Sequence, residues 1–225
     1  VLKVAQLTNI PHPQIPLPAA LYGAERRNAQ GLDLSNLPGL EQLYSQIQQA
    51  LTCSWSAAPM INGVEVSGIG RSVYAPADRR IAIGTVIDTT PEQLEQALAH
   101  AQQAQPAWNA TPASQRAACL ERMAELLEQH MPALIALCCR EAGKTTADGI
   151  AEVREAVDFC RYYAERARQD FAEPLKLPGP TGERNQLSWH GRGVFVCISP
   201  WNFPLAIFLG QVSAALVAGN DVLAK

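Results

Sequence analysis

Near its C-terminal end the chain runs Ile198-Ser199-Pro200-Trp201-Asn202-Phe203-Pro204, and its last residues are Asp221-Val222-Leu223-Ala224-Lys225. A carboxamide between two aromatic residues is a neutral hydrogen-bonding group, able to donate without any ionisation. Held in a rigid turn such a donor is preorganised, which makes Asn202 a candidate site residue. The competing reading is ordinary turn chemistry, in which an Asn side chain bonds the loop backbone. Lys225 brings an ammonium with three donors to the end of a strand, where a lysine is ordinarily a solvated charge. Six cysteines, at 53, 119, 138, 139, 160 and 197, form no C-x-x-C pair and have no metal-ligand spacing with the four histidines, so no metal site is expected. Cys119, Cys138 and Cys160 fall among apolar residues of predicted helices and Cys197 inside an apolar run, which points to buried, reduced thiols and a reducing compartment.

The elements that must position Asn202 and Lys225 are legible around them. Val194-Phe-Val-Cys-Ile-Ser199 is a continuous β-branched and apolar run, as expected of a strand buried on both faces of a parallel sheet. Pro204 opens a helix, Gly219 closes it, and a second strand starts at Asp221, making a βαβ unit whose ligand crevice lies beyond the carboxyl end of the first strand. The turn falls in that crevice, before a helix N-terminus whose free N–H groups favour anions, so a phosphorylated cofactor fits there. The helix is entered through a proline, without the G-x-G-x-x-G fingerprint. Arg140-Glu-Ala-Gly-Lys-Thr145 lacks the first glycine and the upstream strand of a phosphate loop.

Upstream, prolines at 11, 13, 16 and 18 hold the backbone extended and forbid a regular helix, so residues 1–39 read as a linker or arm. A short amphipathic helix follows, with Leu40, Leu43, Tyr44, Ile47 and Leu51 on one face. Residues 60–88 read as an antiparallel β-ribbon, with Asn62-Gly63 at a tight hairpin and a turn at Pro76-Ala-Asp78. Residues 90–172 read as helices. Thr90-Pro91-Glu92-Gln93 is a capping box with proline in the first turn, Thr111-Pro112 repeats the start signal ahead of Cys119, Leu120, Met123, Leu126 and Leu127, Gly143 ends a third helix, and a fourth covers 147–171. Residues 186–225 begin a second sheet, with Gln186–Gly193 alternating like a strand.

A chain of 225 residues, 48% hydrophobic and 17% charged, is long enough for one or two folded domains. Its net charge of −3 gives no basic footprint for nucleic acid. The longest apolar stretch, Phe203–Val217, is too short to span a bilayer, and Val1–Ile10 does not resemble a signal peptide.

Pro200-Trp-Asn-Phe-Pro204, with an apolar helix ending in Ala218-Gly-Asn220 and a strand ending in Val222-Leu-Ala-Lys225, resembles the aldehyde dehydrogenase superfamily, whose motif is Pro-Trp-Asn-Phe-Pro. The order of ribbon, helices and strand pair fits that family from about Ser56 to Lys225. The stretches Ala20–Asn36 and Phe195–Asn220 are similar to bifunctional bacterial flavoproteins of proline catabolism. In these a proline dehydrogenase domain is linked to a dehydrogenase that oxidises glutamate γ-semialdehyde, the open form of pyrroline-5-carboxylate, to glutamate.

The resemblance implies an α/β fold of aldehyde dehydrogenase type, comprising an antiparallel ribbon, a helical region and the first βαβ of a Rossmann-like NAD-binding domain. It implies that a cysteine thiolate attacks the aldehyde, hydride leaves for the nicotinamide, and water resolves the thioester. Asn202 would donate to the oxyanion and Lys225 would bond the adenosine ribose, while Ile198, Ser199, Pro200 and Trp201 line the nicotinamide side. Phe203 would pack against the aliphatic part of the substrate, with plain core as the alternative. Glu155, in Glu155-Ala-Val-Asp-Phe159, would meet the substrate ammonium, with a solvated charge as the alternative. Asp221 stands where threonine is more familiar and adds negative charge near the cofactor groove. The nucleophilic cysteine and general-base glutamate are expected after Lys225, so the chain reads as an excerpt of a longer polypeptide in which the helix Leu205–Val217, left alone, exposes a large apolar patch. NAD would serve this domain and FAD an upstream proline dehydrogenase domain. A small aldehyde substrate, self-association through the ribbon, no nucleic-acid contact from this segment, and a bacterial cytoplasmic location complete the reading, with peripheral attachment at the inner membrane left open through other domains. A dehydrogenase of other aldehyde range and a non-catalytic assembly module are the alternatives.

Overall fold

The computed structural model describes His12 and residues 14–225; the expectations for Val1–Ile10 and for Pro11 and Pro13 lie outside the described residues. Helix α1 spans Leu37–Ala50 and buries Leu43 and Ile47, whereas Tyr44 is exposed. Strand β1 (Trp55–Ala57) is followed by the hairpin β2 (Met60–Ile61) and β3 (Val64–Glu65). Its turn is Asn62-Gly63, with φ of 51° and 75°, the left-handed pair that a two-residue hairpin loop requires. Strands β4 (Gly70–Tyr74) and β5 (Ala82–Ile87) are antiparallel. The expected single antiparallel ribbon is corrected in two ways: the β2–β3 hairpin stands apart, and β1 joins β5 in parallel to give a mixed sheet of order β1-β5-β4. Gly84 is the physical reason, because a Cβ there would lie 1.9 Å from Trp55 O and keep β1 away. Ile69, beside β4, is 97% exposed.

Four helices form the main layer. Thr90 caps α2 (Pro91–Ala110) with both bonds of the capping box to Gln93. Helix α3 (Ala113–Gln129) starts at Pro112 without a side-chain cap, while Thr111 instead donates back to Ala107 O at the end of α2. Its buried stripe is Ala113, Ala117, Leu120, Ala124 and Leu127, so the expected burial of Cys119 and Met123 is corrected: both are exposed. The small alanines hold that face because they let the backbone approach its neighbour, which larger Cys119 and Met123 do not. Helix α4 (Met131–Ala142) ends at Gly143 with φ of 67°. Helix α5 (Thr146–Asp170) is central and packs against α3 and α4. Ile135, Val153, Val157 and Cys160 are fully buried, and each such aliphatic side chain contributes about 1.5–3 kcal/mol.

The arm does not stay extended. Pro18–Ala20 form a 3-10 turn, Tyr22 and Arg26 form a bridge, and Ala29 is fully buried in the helical core. Asp158 accepts from Ala29 N at 2.7 Å, and Arg161 donates to Asn28 O at 3.2 Å while holding Glu128 bidentately at 3.0 and 2.8 Å. Polar groups of α3 and α5 thus satisfy arm backbone that an extended linker would leave to water.

After α5, β6 (Leu175–Leu177) and β7 (Asn185–Leu187) form a hairpin. The strand expected over Gln186–Gly193 stops at Leu187 because Gly191 N turns to Asn109 Oδ1 at 2.7 Å and Gly193 N to Asn220 Oδ1 at 3.1 Å. Strand β8 (Val194–Cys197), helix α6 (Ala206–Val217) and strand β9 (Asp221–Ala224) follow, with β8 and β9 parallel in the register Val194↔Asp221 to Cys197↔Ala224. The carbonyls at the end of α6 are taken by side chains from α2 and α3: Trp108 Nε1 to Leu216 O at 2.7 Å, Arg116 Nε to Val217 O at 2.8 Å and Gln105 Nε2 to Gly219 O at 3.0 Å. Two expectations are corrected here. Phe195 and Val196 of β8 are exposed, so the strand is not buried on both faces, whereas no residue of α6 is exposed. Helices α5 and α3 cover the side of α6 that two strands cannot reach, and the open apolar surface lies on β8 instead.

Candidate active site

The turn Ile198–Leu205 joins β8 to α6. Strand pairing runs on past β9, with Lys225 N donating to Cys197 O at 2.8 Å and Ser199 N to Lys225 O at 3.0 Å. Lys225 therefore lies beside Ile198 and Ser199 at the carboxyl end of the parallel pair. Phe203 N closes the turn on Pro200 O at 3.3 Å. Ile198, Trp201, Asn202, Phe203 and Lys225 are all exposed, Trp201 to 83%. Among the described residues the Asn202 carboxamide has no partner in the chain, so it is not consumed by the loop backbone and both its N–H groups are available.

Behind the turn lies a residue not anticipated from sequence. Glu152 of α5 is 2% exposed, and its Oε2 accepts from Leu205 N at 3.3 Å and Ala206 N at 2.8 Å, capping a helix that has no side-chain cap of its own. Its Oε1 lies 2.7 Å from Lys144 Nζ, off the direction of a formed hydrogen bond, so the contact is ionic. Lys144 Nζ in turn stands 4.7 Å from the centroid of the Phe203 ring. The expectation that the N-terminus of α6 receives a phosphorylated ligand is thereby corrected: the chain's own carboxylate occupies it. Glu155, one turn further along α5, is exposed, and it is Glu152 that touches the turn. The signal was present, since Glu152 falls within the buried stripe Gly149, Val153, Ala156, Val157, Cys160, where a carboxylate requires a partner. Lys144 follows the left-handed Gly143, so Arg140–Thr145 is a helix end and not a phosphate loop. Asp221 is also explained: it opens β9, its Oδ1 accepts from Val222 N at 2.7 Å, and it lies four residues, about 13 Å of strand, from Lys225 and the crevice.

Burial pushes the Cys138 and Cys160 thiols up to about 11 and also raises Cys139 and Cys197. None of these four is suited to act as a thiolate near neutral pH. Cys53 and Cys119 are exposed but lie outside the turn. Among the described residues no group of three or more His, Cys, Asp or Glu could hold a metal ion, and no helix is long and apolar enough to cross a membrane.

The whole chain is 48% identical to bifunctional protein PutA of Escherichia coli, of which it spans 16%. It is 36% identical to 1-pyrroline-5-carboxylate dehydrogenase 2 of Bacillus subtilis, over 74% of this chain and 32% of that protein. A solved structure of 1-pyrroline-5-carboxylate dehydrogenase from Thermus with bound NAD superposes with a TM-score of 0.80 at 28% identity, over 87% of this chain and 38% of that one. The chain thus spans about a sixth of the length of the PutA protein it matches. The aldehyde dehydrogenase pattern covers residues 66–225, from β4 through the Asn202 turn to Lys225, and the chain belongs to the aldehyde dehydrogenase family.

Proposed function

We propose that this chain is part of an NAD-dependent dehydrogenase that oxidises L-glutamate γ-semialdehyde, the open form of pyrroline-5-carboxylate, to glutamate. In this reading it belongs to a longer polypeptide that also carries an FAD-dependent proline dehydrogenase domain upstream. Identity to PutA that runs through the arm as well as the aldehyde dehydrogenase region supports the bifunctional assignment. The observation that carries the chemistry is the unengaged carboxamide of Asn202, on a fixed turn at the carboxyl end of two parallel strands.

The residues present fit a nicotinamide dinucleotide at this edge. Exposed Ile198 and Trp201 offer apolar surface and Lys225 an ammonium, while Glu152 closes the end of α6, so the diphosphate is held elsewhere. When bound, NAD supplies the hydride acceptor. Lys225 donates to ribose hydroxyls, and Ile198, Ser199, Pro200 and Trp201 flank the nicotinamide through backbone and apolar contact that excludes water. As a thiolate adds to the aldehyde carbon, Asn202 donates to the oxygen that becomes negative. Phe203 supports the aliphatic chain of the substrate and Glu155 meets its ammonium. The thiolate and the general base come from residues outside 1–225. The exposed Ile69 beside β4 supports self-association through this sheet.

The test is NADH formation from pyrroline-5-carboxylate by the full-length protein, wild type against Asn202→Ala. Loss of the donor is expected to lower kcat by about 100- to 1000-fold. Equal turnover would remove Asn202 from the mechanism and favour the assembly-module alternative.

A further inference from the structure

We propose that Glu152 and Lys144 are positioning residues for the Asn202 carboxamide, acting as a buried ion pair that fixes the backbone after the turn and the ring beside Asn202. The inference rests on the reading of Asn202 as oxyanion donor and adds two residues to it.

Helix α6 begins without a cap, since Leu205 offers no side-chain acceptor, and its first N–H groups would otherwise be orphans. A Ser, Asp or Asn at that position would satisfy one of them from the surface, without burying a charge. The chain instead brings a carboxylate from α5, where it is costly to bury unless paired. That arrangement adds what a local cap lacks, a rigid tie between the start of α6 and the centre of the core, where Val153 and Ala156 are fully buried. The carboxylate is also favourably placed against the positive end of the helix, and its bonds are charge-assisted.

Lys144 completes the device. It leaves α4 through Gly143, its side chain is only 15% exposed, and it stands 2.7 Å from Glu152 on one side and 4.7 Å from the Phe203 ring on the other. Both distances fall within attractive range, one ionic and one cation–π. The turn is thus pinned at Ser199 by Lys225 O, at Phe203 by the ammonium, and at Leu205 and Ala206 by the carboxylate. Asn202 lies between the first two pins and next to the second. An oxyanion donor must stand 2.7–3.1 Å from the reacting oxygen, and a misplacement of about 1 Å costs roughly 100-fold in rate.

The test uses the full-length enzyme with Glu152→Gln, which keeps shape and one acceptor oxygen, and Lys144→Met, which keeps the apolar stem. Each is measured alone and combined with Asn202→Ala, recording kcat, KM for pyrroline-5-carboxylate and NAD, and melting temperature. Each single variant is expected to lower kcat about 10- to 100-fold with both KM values within about threefold of wild type, and neither is expected to lower kcat more than about twofold further once Asn202 is alanine. The same fold loss in both backgrounds would mean general destabilisation and overturn the proposal, as would wild-type kcat in both single variants. If Glu152→Gln does not fold, Lys144→Met decides by the same criterion. A loss in Asn202→Ala together with undiminished rates in the other two refutes this inference alone. Undiminished rate in Asn202→Ala refutes the underlying reading and the inference with it.

Discussion

Asn220 is the joint that holds the first βαβ unit together, and replacing it with alanine has a calculable effect. Its side chain is 5% exposed; Oδ1 accepts from Arg192 N at 2.5 Å and Gly193 N at 3.1 Å, and Nδ2 donates to Ala215 O at 3.1 Å. Alanine removes all three bonds. The loss is not three full penalties, because Ala215 O keeps its bond from Asn220 N at 3.2 Å and Arg192 is exposed enough for water to replace its partner. The half-buried Gly193 N is the group left wanting, at about 1–3 kcal/mol, so local opening of the β8 entry becomes easier by that amount, or about 5- to 150-fold. Hydrogen–deuterium exchange on the full-length protein reads this directly in the peptide covering 190–197. Exchange there is expected to accelerate by that factor while the centre of α5 is unchanged. Asn220→Asp keeps the two acceptor bonds but sets a carboxylate oxygen against Ala215 O, so it should fall between alanine and wild type. If Asn220→Ala exchanges in 190–197 like wild type, the view of Asn220 as the joint is wrong.

The remaining expectations concern the arm, a helix cap and the thiols. Burial acts to raise the Glu128 carboxyl, but hydrogen bonds from Arg161 and Gln30 N outweigh it and leave it below its ordinary value of 4.5. A carboxyl depressed by folding contributes stability that is complete above that value and is lost as pH falls through the lower folded one, so arm attachment should weaken only in acid, below about pH 4.5, seen as faster exchange in residues 26–31 after correction for intrinsic rates. At neutral pH Arg161→Ala should cost about 3 kcal/mol by stranding Glu128, and tryptic cleavage after Arg26 and Arg27 should speed up; unchanged cleavage would count against the clamp. Thr90→Ala removes the half of the capping box in which the Thr90 hydroxyl accepts from Gln93 N, leaving the bond from the backbone N–H of residue 90 to Gln93 Oε1, and should cost about 1 kcal/mol, lowering the melting temperature by about 2–4 °C. Iodoacetamide should label Cys53 and Cys119 in the native protein and reach Cys138, Cys160 and Cys197 only after unfolding, as peptide mass spectrometry will show.

What could be read from the chain was local. The start of α2, the end of α4 and the Asn62-Gly63 hairpin depend on a few adjacent residues whose backbone preferences do not need the rest of the molecule, and all three form where those residues stand. What could not be read depended on distant partners. The parallel pairing of β1 with β5 joins residues about thirty apart, and its only trace is a glycine within a strand. The buried stripe of α3 was misphased because apolar character favoured Cys119 and Met123, while close approach to α5 favoured alanines. The arm looked like a spacer because its attachment depends on Asp158, Arg161 and Glu128, which lie about a hundred residues away or more. At the candidate site the consecutive residues 198–203 and Lys225 were legible as one motif, and Glu152 was not, since a glutamate on a helix is ordinarily solvated.

Two features of the β8–α6 junction that look unrelated have one physical cause. A helix N-terminus that cradles a diphosphate needs glycines, so that backbone can approach the ligand closely. Here the helix is entered through Pro204 and Leu205, with bulk on both residues, and the first N–H groups already face a carboxylate held 2.8 Å from Ala206 N. A second anion at that end would sit against Glu152 without donors to receive it. The missing glycine fingerprint and the buried glutamate therefore describe the same device: in this βαβ unit the helix terminus is spent on anchoring the turn internally. The Asn202 amide and the Lys225 ammonium stay exposed at the carboxyl edge, where the proposed function has them meet the ligands.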